Sequence, residues 1–146
     1  LYQDEDFSVP DNVYLIGLMN TADRSLAMLD YALRRRFAFI KMKPGFETEG
    51  FKNFEQELNS PTFSALIEQV KQINSDIEKD ESLGEGFKIG HSFFCDIKPE
   101  EKDIEERLTN IVEYELIPLI EEYWFDESAK AADYSEKLRK ALKQAE

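Results

Sequence analysis

The run Val13–Met19, VYLIGLM, constrains the fold of this chain more than any other stretch. Its apolar residues follow one another without polar alternation, a pattern that suits a strand covered on both faces, as in the parallel sheet of an α/β protein. Asn20-Thr21 ends the run, and Ala22-Asp23-Arg24-Ser25 leads into a helical pattern in which Leu26, Leu29 and Leu33 share one face. The helix closes on Arg34-Arg35-Arg36, and Phe37-Ala38-Phe39-Ile40 reads as the next strand. A polar side chain at the carboxyl end of a buried parallel strand is where open α/β sheets bind ligands. An arginine cluster one helix later can place positive charge against a phosphate.

Lys43-Pro44-Gly45 breaks this pattern and predicts a boundary: an α/β remnant over 1–45, then a helical part over 46–146. Residues 51–59 fit a short helix with Phe51, Phe54 and Leu58 on one side. Ser60-Pro61 reads as an N-cap followed by proline at the first helical position. The helix it opens has the clearest period in the chain, through Phe63, Leu66, Ile67, Val70, Ile73, Asn74 and Ile77, and ends in Glu78-Lys79-Asp80-Glu81. Gly84-Glu85-Gly86 is a bend. Pro99 and the acids after it look like a helix start, and from about Asp103 a helix carries Ile104, Leu108, Ile111, Val112 and Leu116. Pro118 inside that pattern must kink the helix or start a new one. A last helix, about Ser128–Ala145, has Tyr134, Leu138, Ala141 and Leu142 on one face. The expected whole is a strand–helix–strand remnant of a parallel sheet followed by an all-α bundle of four or five helices.

The 146 residues suit one average domain or two small ones, and 42% hydrophobic residues suffice for a core. The net charge of −13 speaks against a general DNA-binding surface, since phosphate contacts need Lys and Arg. Residues 1–50 hold 8 acids and 6 bases and residues 51–146 hold 23 and 12, so the acidic excess follows the boundary. It reads as solvated helix faces or an acidic docking surface. One cysteine, Cys95, precludes an internal disulfide framework and suits a reducing cytoplasm. No apolar run approaches the ~20 residues of a membrane span. The start at Leu1 reads as a cut from a longer protein.

No G-x-x-x-x-G-K-[ST] phosphate loop occurs, and no apolar strand ends in the acids that would hold Mg²⁺. Asn20 offers a carboxamide that donates and accepts at once, able to orient a water beside a phosphate or to satisfy backbone groups at a turn. Asp30 lies one turn before Arg34 and can pair with an arginine to direct it. Arg34, Arg35 and Arg36 are either solvated cations at a helix C-terminus or charge for a phosphoryl group. Neighbouring helical residues point about 100° apart, so at most two of the three can face one nucleotide. His91, the single histidine, is a packed or capping residue unless Lys88–Ser92 meets a ligand. One His and one Cys give no metal-site spacing. Trp124, between Tyr123 and Phe125, reads as core.

Residue by residue, Gly17-Leu18-Met19-Asn20-Thr21-Ala22-Asp23-Arg24-Ser25 and Asp30-Tyr31-Ala32-Leu33-Arg34-Arg35-Arg36-Phe37 resemble the AAA+ NTPase module, and more narrowly the McrB-type GTPase subunit of modification-dependent restriction systems. The resemblance continues more loosely through Pro44-Gly45-Phe46, Gly86–Phe94 and Pro118–Tyr123. It implies sensor-1 at Asn20 and an arginine finger at Arg35 and Arg36 that serves the nucleotide of a neighbouring subunit, with Arg34 a structural option. It also places Lys88 and His91 on the lid's sensor-2 element, where other branches carry an arginine that this chain lacks. GTP (or ATP) with Mg²⁺ would be held mostly by upstream parts. The implied partners are identical subunits in a ring, expected to be a hexamer, and an McrC-like nuclease subunit, with DNA met only through a separate domain. The alternatives are an ATP-dependent AAA+ remodelling protein and a non-enzymatic acidic helical docking module.

Overall fold

A computed structural model describes residues 8–20, 31–100 and 102–143. The described architecture is helical, and the longest amphipathic stretch forms its axis. Ser60 caps α3 (Pro61–Lys79): its Oγ accepts the N–H of Phe63 at 3.2 Å, and Pro61 occupies the first helical position, where a missing N–H costs nothing. Phe63, Leu66, Ile67, Val70, Ile73 and Ile77 of α3 are completely buried, as the three-four spacing requires. α6 (Ser128–Lys143) packs along this face through Ala131, Tyr134, Leu138 and Ala141.

Before α3, a four-residue α1 (Tyr31–Arg34) and a 3₁₀ turn at Gly45–Glu47 precede α2 (Glu49–Leu58). α2 starts at Thr48, whose Oγ1 accepts from Phe51 N–H at 3.3 Å, and buries Phe51 and Leu58. It ends at Asn59, which takes the left-handed conformation (φ 47°) that asparagine tolerates better than most residues. After α3 come 3₁₀ turns at Glu85–Phe87 and His91–Phe94, then α4 (Ile104–Ile111). α4 runs without a break into a π-helical segment, Val112–Leu116, and then α5 (Ile117–Tyr123). Pro118 supplies the physical reason. It cannot donate to the carbonyl four residues earlier, and its ring crowds that turn, so the helix widens upstream and restarts. The helix expected from about Asp103 begins at Ile104, with Asp103 at its N-cap, and the residues from Pro99 to Asp103 stay outside it.

The expected sheet remnant does not form among the described residues. Val13–Met19 and Phe37–Ile40 are unpaired coil, and Ile16 and Leu18 are 88% and 97% exposed. A continuous apolar run reports burial on both faces, but neighbouring strands and covering helices must supply that burial, and none lies among the described residues. Leu26, Leu29 and Asp30 fall outside the described residues, and of the predicted arginine-bearing helix only Tyr31–Arg34 is described. No helix of the described residues is long and apolar enough to cross a membrane.

Candidate functional site

The candidate residues fall into two groups. Asn20 stands at the end of the apolar coil and is exposed. Arg34 is the last residue of α1, and Arg35 and Arg36 follow in a turn closed by Arg36 N–H on the Leu33 carbonyl at 3.0 Å. All three arginines are exposed. Asp30 lies outside the described residues, so its pairing with an arginine is not addressed by the structure.

Lys88 and His91 share the turn after α3, and the fold holds that turn firmly. Asn74, the one polar member of the α3 stripe, is buried; its Oδ1 accepts Ile89 N–H at 2.6 Å, and its Nδ2 donates to the Ile89 carbonyl at 2.9 Å. One carboxamide thus satisfies both polar groups of a buried peptide position, as burial demands. Lys88 Nζ reaches back to Glu78 at 2.8 Å.

His91 faces the segment that enters the lid. Gly45 N–H donates to His91 Nδ1 at 2.9 Å, so the neutral ring carries its proton on Nε2. Phe46 and Phe51 meet the imidazole edge-on, with centroids 6.1 and 6.0 Å away. Nearby, Glu85 pairs with Lys41 and, at 3.7 Å, with Lys43. The Lys41 ammonium holds the Glu85 carboxyl below its ordinary range, with lesser help from Lys43 and Lys88. Residues 41–45 are therefore fastened to the turn that carries Lys88 and His91.

A surface cleft of about 440 Å³ is lined by Lys52, Glu55, Gln56, Asn59, Ser60, Pro61 and Ser64, and another of about 420 Å³ by Asp96, Lys98, Glu100 and Arg107. Neither contains a candidate residue. No group of three or more His, Cys, Asp or Glu side chains suited to a metal ion occurs among the described residues. The sequence has no phosphate loop.

Sequence reasoning missed a second polar centre. Asp80, just past the end of α3, accepts Trp124 Nε1 at 2.9 Å and Lys130 Nζ at 2.7 Å on one oxygen, and Ser82 N–H and Oγ on the other. Lys130 foremost, then Ser82 and Trp124, hold its carboxyl well below the usual carboxylate range. The Trp124 indole stacks on Tyr134 at 4.6 Å, and Lys130 lies 5.1 Å over the Trp124 ring. This centre locks α3, the end of α5 and α6 together.

The sequence model of the McrB alpha-helical lid domain matches residues 65–132, which run from within α3 into the start of α6. This is an McrB-type chain, and residues 65–132 are its helical lid. The chain is also similar, at 47% identity over 139 residues, to the Type IV methyl-directed restriction enzyme EcoKMcrB subunit of Escherichia coli (strain K12). That match covers 92% of the chain and 30% of the relative, so the chain spans about a third of the protein it resembles. The matched region takes in most of α3, the Asn74-anchored turn, α4, α5 and the start of α6. Residues before 65 lie outside the region that the lid model matches.

Proposed function

We propose that this chain is part of the GTP-hydrolysing motor subunit of an McrBC-like restriction system. The observation that carries the reading is the 47% identity to a methyl-directed restriction enzyme subunit across 92% of the chain, together with the helical lid. Residues 1–45 would be the end of an AAA+ α/β subdomain and residues 46–146 the lid. GTP and Mg²⁺ would be bound mainly by a phosphate loop and acidic strand elsewhere in the protein.

In this reading Asn20 orients the attacking water, and Arg35 and Arg36 reach the nucleotide of the neighbouring subunit. There they offset charge that develops on the transferred phosphoryl group, an effect worth about 10³–10⁵ in rate where it has been measured in other NTPases. Asp30 would direct an arginine, and Arg34 would serve structure. The fixed tautomer of His91 supports a donor role, since Nε2–H can meet a phosphate oxygen. Lys88 would contribute charge once released from Glu78. Identical subunits would form a ring, expected to be hexameric, that drives an McrC-like nuclease partner, and a separate domain would read DNA.

The test uses the full-length protein. Asn20→Ala and the double variant Arg35→Ala/Arg36→Ala should each lose nearly all turnover, and mixing them should restore part of it. Failure to recover, with both variants still assembled, rejects the finger acting between subunits. Preference for GTP over ATP in the wild type separates the GTPase reading from an ATP-driven one.

A further inference from the structure

The contact between Gly45 and His91 joins two segments far apart in the chain. Gly45 opens the 3₁₀ turn ahead of α2, and His91 opens the second 3₁₀ turn after α3. Gly45 is buried, and its N–H donates at 2.9 Å to Nδ1 of the half-buried ring. This bond exists in one protonation state alone. A neutral imidazole offers Nδ1 as an acceptor when its proton sits on Nε2, whereas an imidazolium carries N–H on both nitrogens. Protonation would set two donors against each other, and a buried N–H without an acceptor is costly. Turning the ring over gives no relief, because either nitrogen then presents a proton. The contact must open.

Charged groups on the surrounding elements act apart from this bond. On the turn that Gly45 opens, Glu47 pairs with Lys52 at 2.9 Å and with Lys71 at 3.0 Å. These cations, Lys52 first, hold the Glu47 carboxyl below its ordinary range. α2 presents Phe51 to the ring, and its Glu49 and Lys52 are exposed. Ahead of His91, Glu85 pairs with Lys41 and Lys43, and Lys88 with Glu78 at 2.8 Å. Glu85 is also held below the usual carboxylate range, by Lys41 foremost. After His91, Cys95 Sγ donates to the His91 carbonyl at 3.4 Å. Glu47 and Glu85 therefore stay ionised from about pH 8 to about pH 5, the interval in which an imidazole changes charge.

We infer that the Gly45–His91 bond is a proton-released latch between the chain ahead of α2 and the turn after α3. It is closed while the ring is neutral and open once the ring is protonated, independently of the function proposed above. Below about pH 6 the segment at residues 41–45 keeps its ion pairs on Glu85 and loses its bond to the ring. Mild acid thus loosens this junction and leaves the buried face of α3 in place.

Hydrogen–deuterium exchange of the full-length protein without nucleotide tests the latch, read by mass spectrometry on overlapping fragments that isolate the Gly45 amide. Rates are corrected for the pH dependence of intrinsic exchange. Protection of this amide in wild type should fall about tenfold between pH 7.5 and pH 5.5, as for a bond that needs the neutral form of an ordinary imidazole titrating near 6.5. Protection of Val70 and Ile73 in α3 should hold over the same range. His91→Asn sets a non-titrating oxygen near the place of Nδ1, and His91→Ala removes the acceptor. The pH step should vanish in both variants, whatever level of protection each retains. No step in wild type overturns the latch, and so does a step that persists in either variant. An equal loss of protection in α3 overturns it as well, since acid would then be loosening the whole bundle.

Discussion

Gly45 is pinned against His91: its N–H donates to Nδ1 at 2.9 Å, and a β-carbon at this position would lie 2.9 Å from both Cε1 and Nε2 of the ring. The imidazole cannot retreat freely, because Phe46 and Phe51 flank it. Glycine is thus required here by proximity.

Gly45→Ala should therefore destabilise the lid by about 1–3 kcal/mol, the usual cost of overpacking. His91→Ala in the same molecule should recover part of that loss, because the ring is what the methyl group strikes. Thermal melts of the two single variants and the double variant test this, and strictly additive losses would refute the clash.

Asn74→Ala should cost about 2–4 kcal/mol, because it leaves the N–H and carbonyl of Ile89 in a buried setting without partners. Denaturant unfolding monitored by Trp124 fluorescence would measure it. The turn bearing Lys88 and His91 should also show faster amide exchange.

Asp80→Ala strips the hydrogen-bond acceptor from the indole N–H of Trp124, a residue only 1% exposed. A loss of about 1–3 kcal/mol is expected for the orphaned donor. The sign of the pH effect follows from the lowered pKa of Asp80, whose ionised form the fold favours. Its contribution is complete above the ordinary carboxylate value of about 4 and fades as pH drops below it. Melting temperature measured from pH 6 to pH 2 should fall less steeply in Asp80→Asn than in wild type.

Tyr134 makes the opposite prediction at the alkaline end. Burial, reinforced by Asp76, to which its hydroxyl donates at 3.1 Å, pushes the phenol up to about 12. The neutral phenol is the form that the fold favours. Its contribution is whole below the unfolded value of about 10 and disappears as pH climbs from there to 12. Wild type should lose more stability than Tyr134→Phe between pH 10 and 12 in the same melting experiment.

These cases mark what could be read from residue order. The α3 helix was legible because cap, proline and stripe lie within twenty residues of each other and act locally. Asn74 was legible as a member of that stripe, but not as the clamp on Ile89, which comes from across a loop. Asp80 looked like one of several charged residues at a helix end, since Trp124 and Lys130 approach it only after α5 and α6 have folded back. The helix break at Pro118 could be foreseen, whereas its π-helical form depends on how the buried side chains on either side keep their register. Val13–Met19 is coil among the described residues, because hydrophobicity records the burial a segment is suited to, and pairing partners decide whether it is achieved. Asn20 and the arginines were singled out by residue order and resemblance, and their exposure in the structure neither adds to nor removes that assignment.

No buried hydrophobic side chain of the described chain precedes Phe46, and the core runs from there to Ala141. The helical bundle thus holds the core, and the chain ahead of it grips that bundle at residues 41–45 through ion pairs on Glu85 and one hydrogen bond to a ring. Such a coupling is stiff against short-range bending yet soft toward ionic strength. Added salt should loosen the handle long before it loosens the blade.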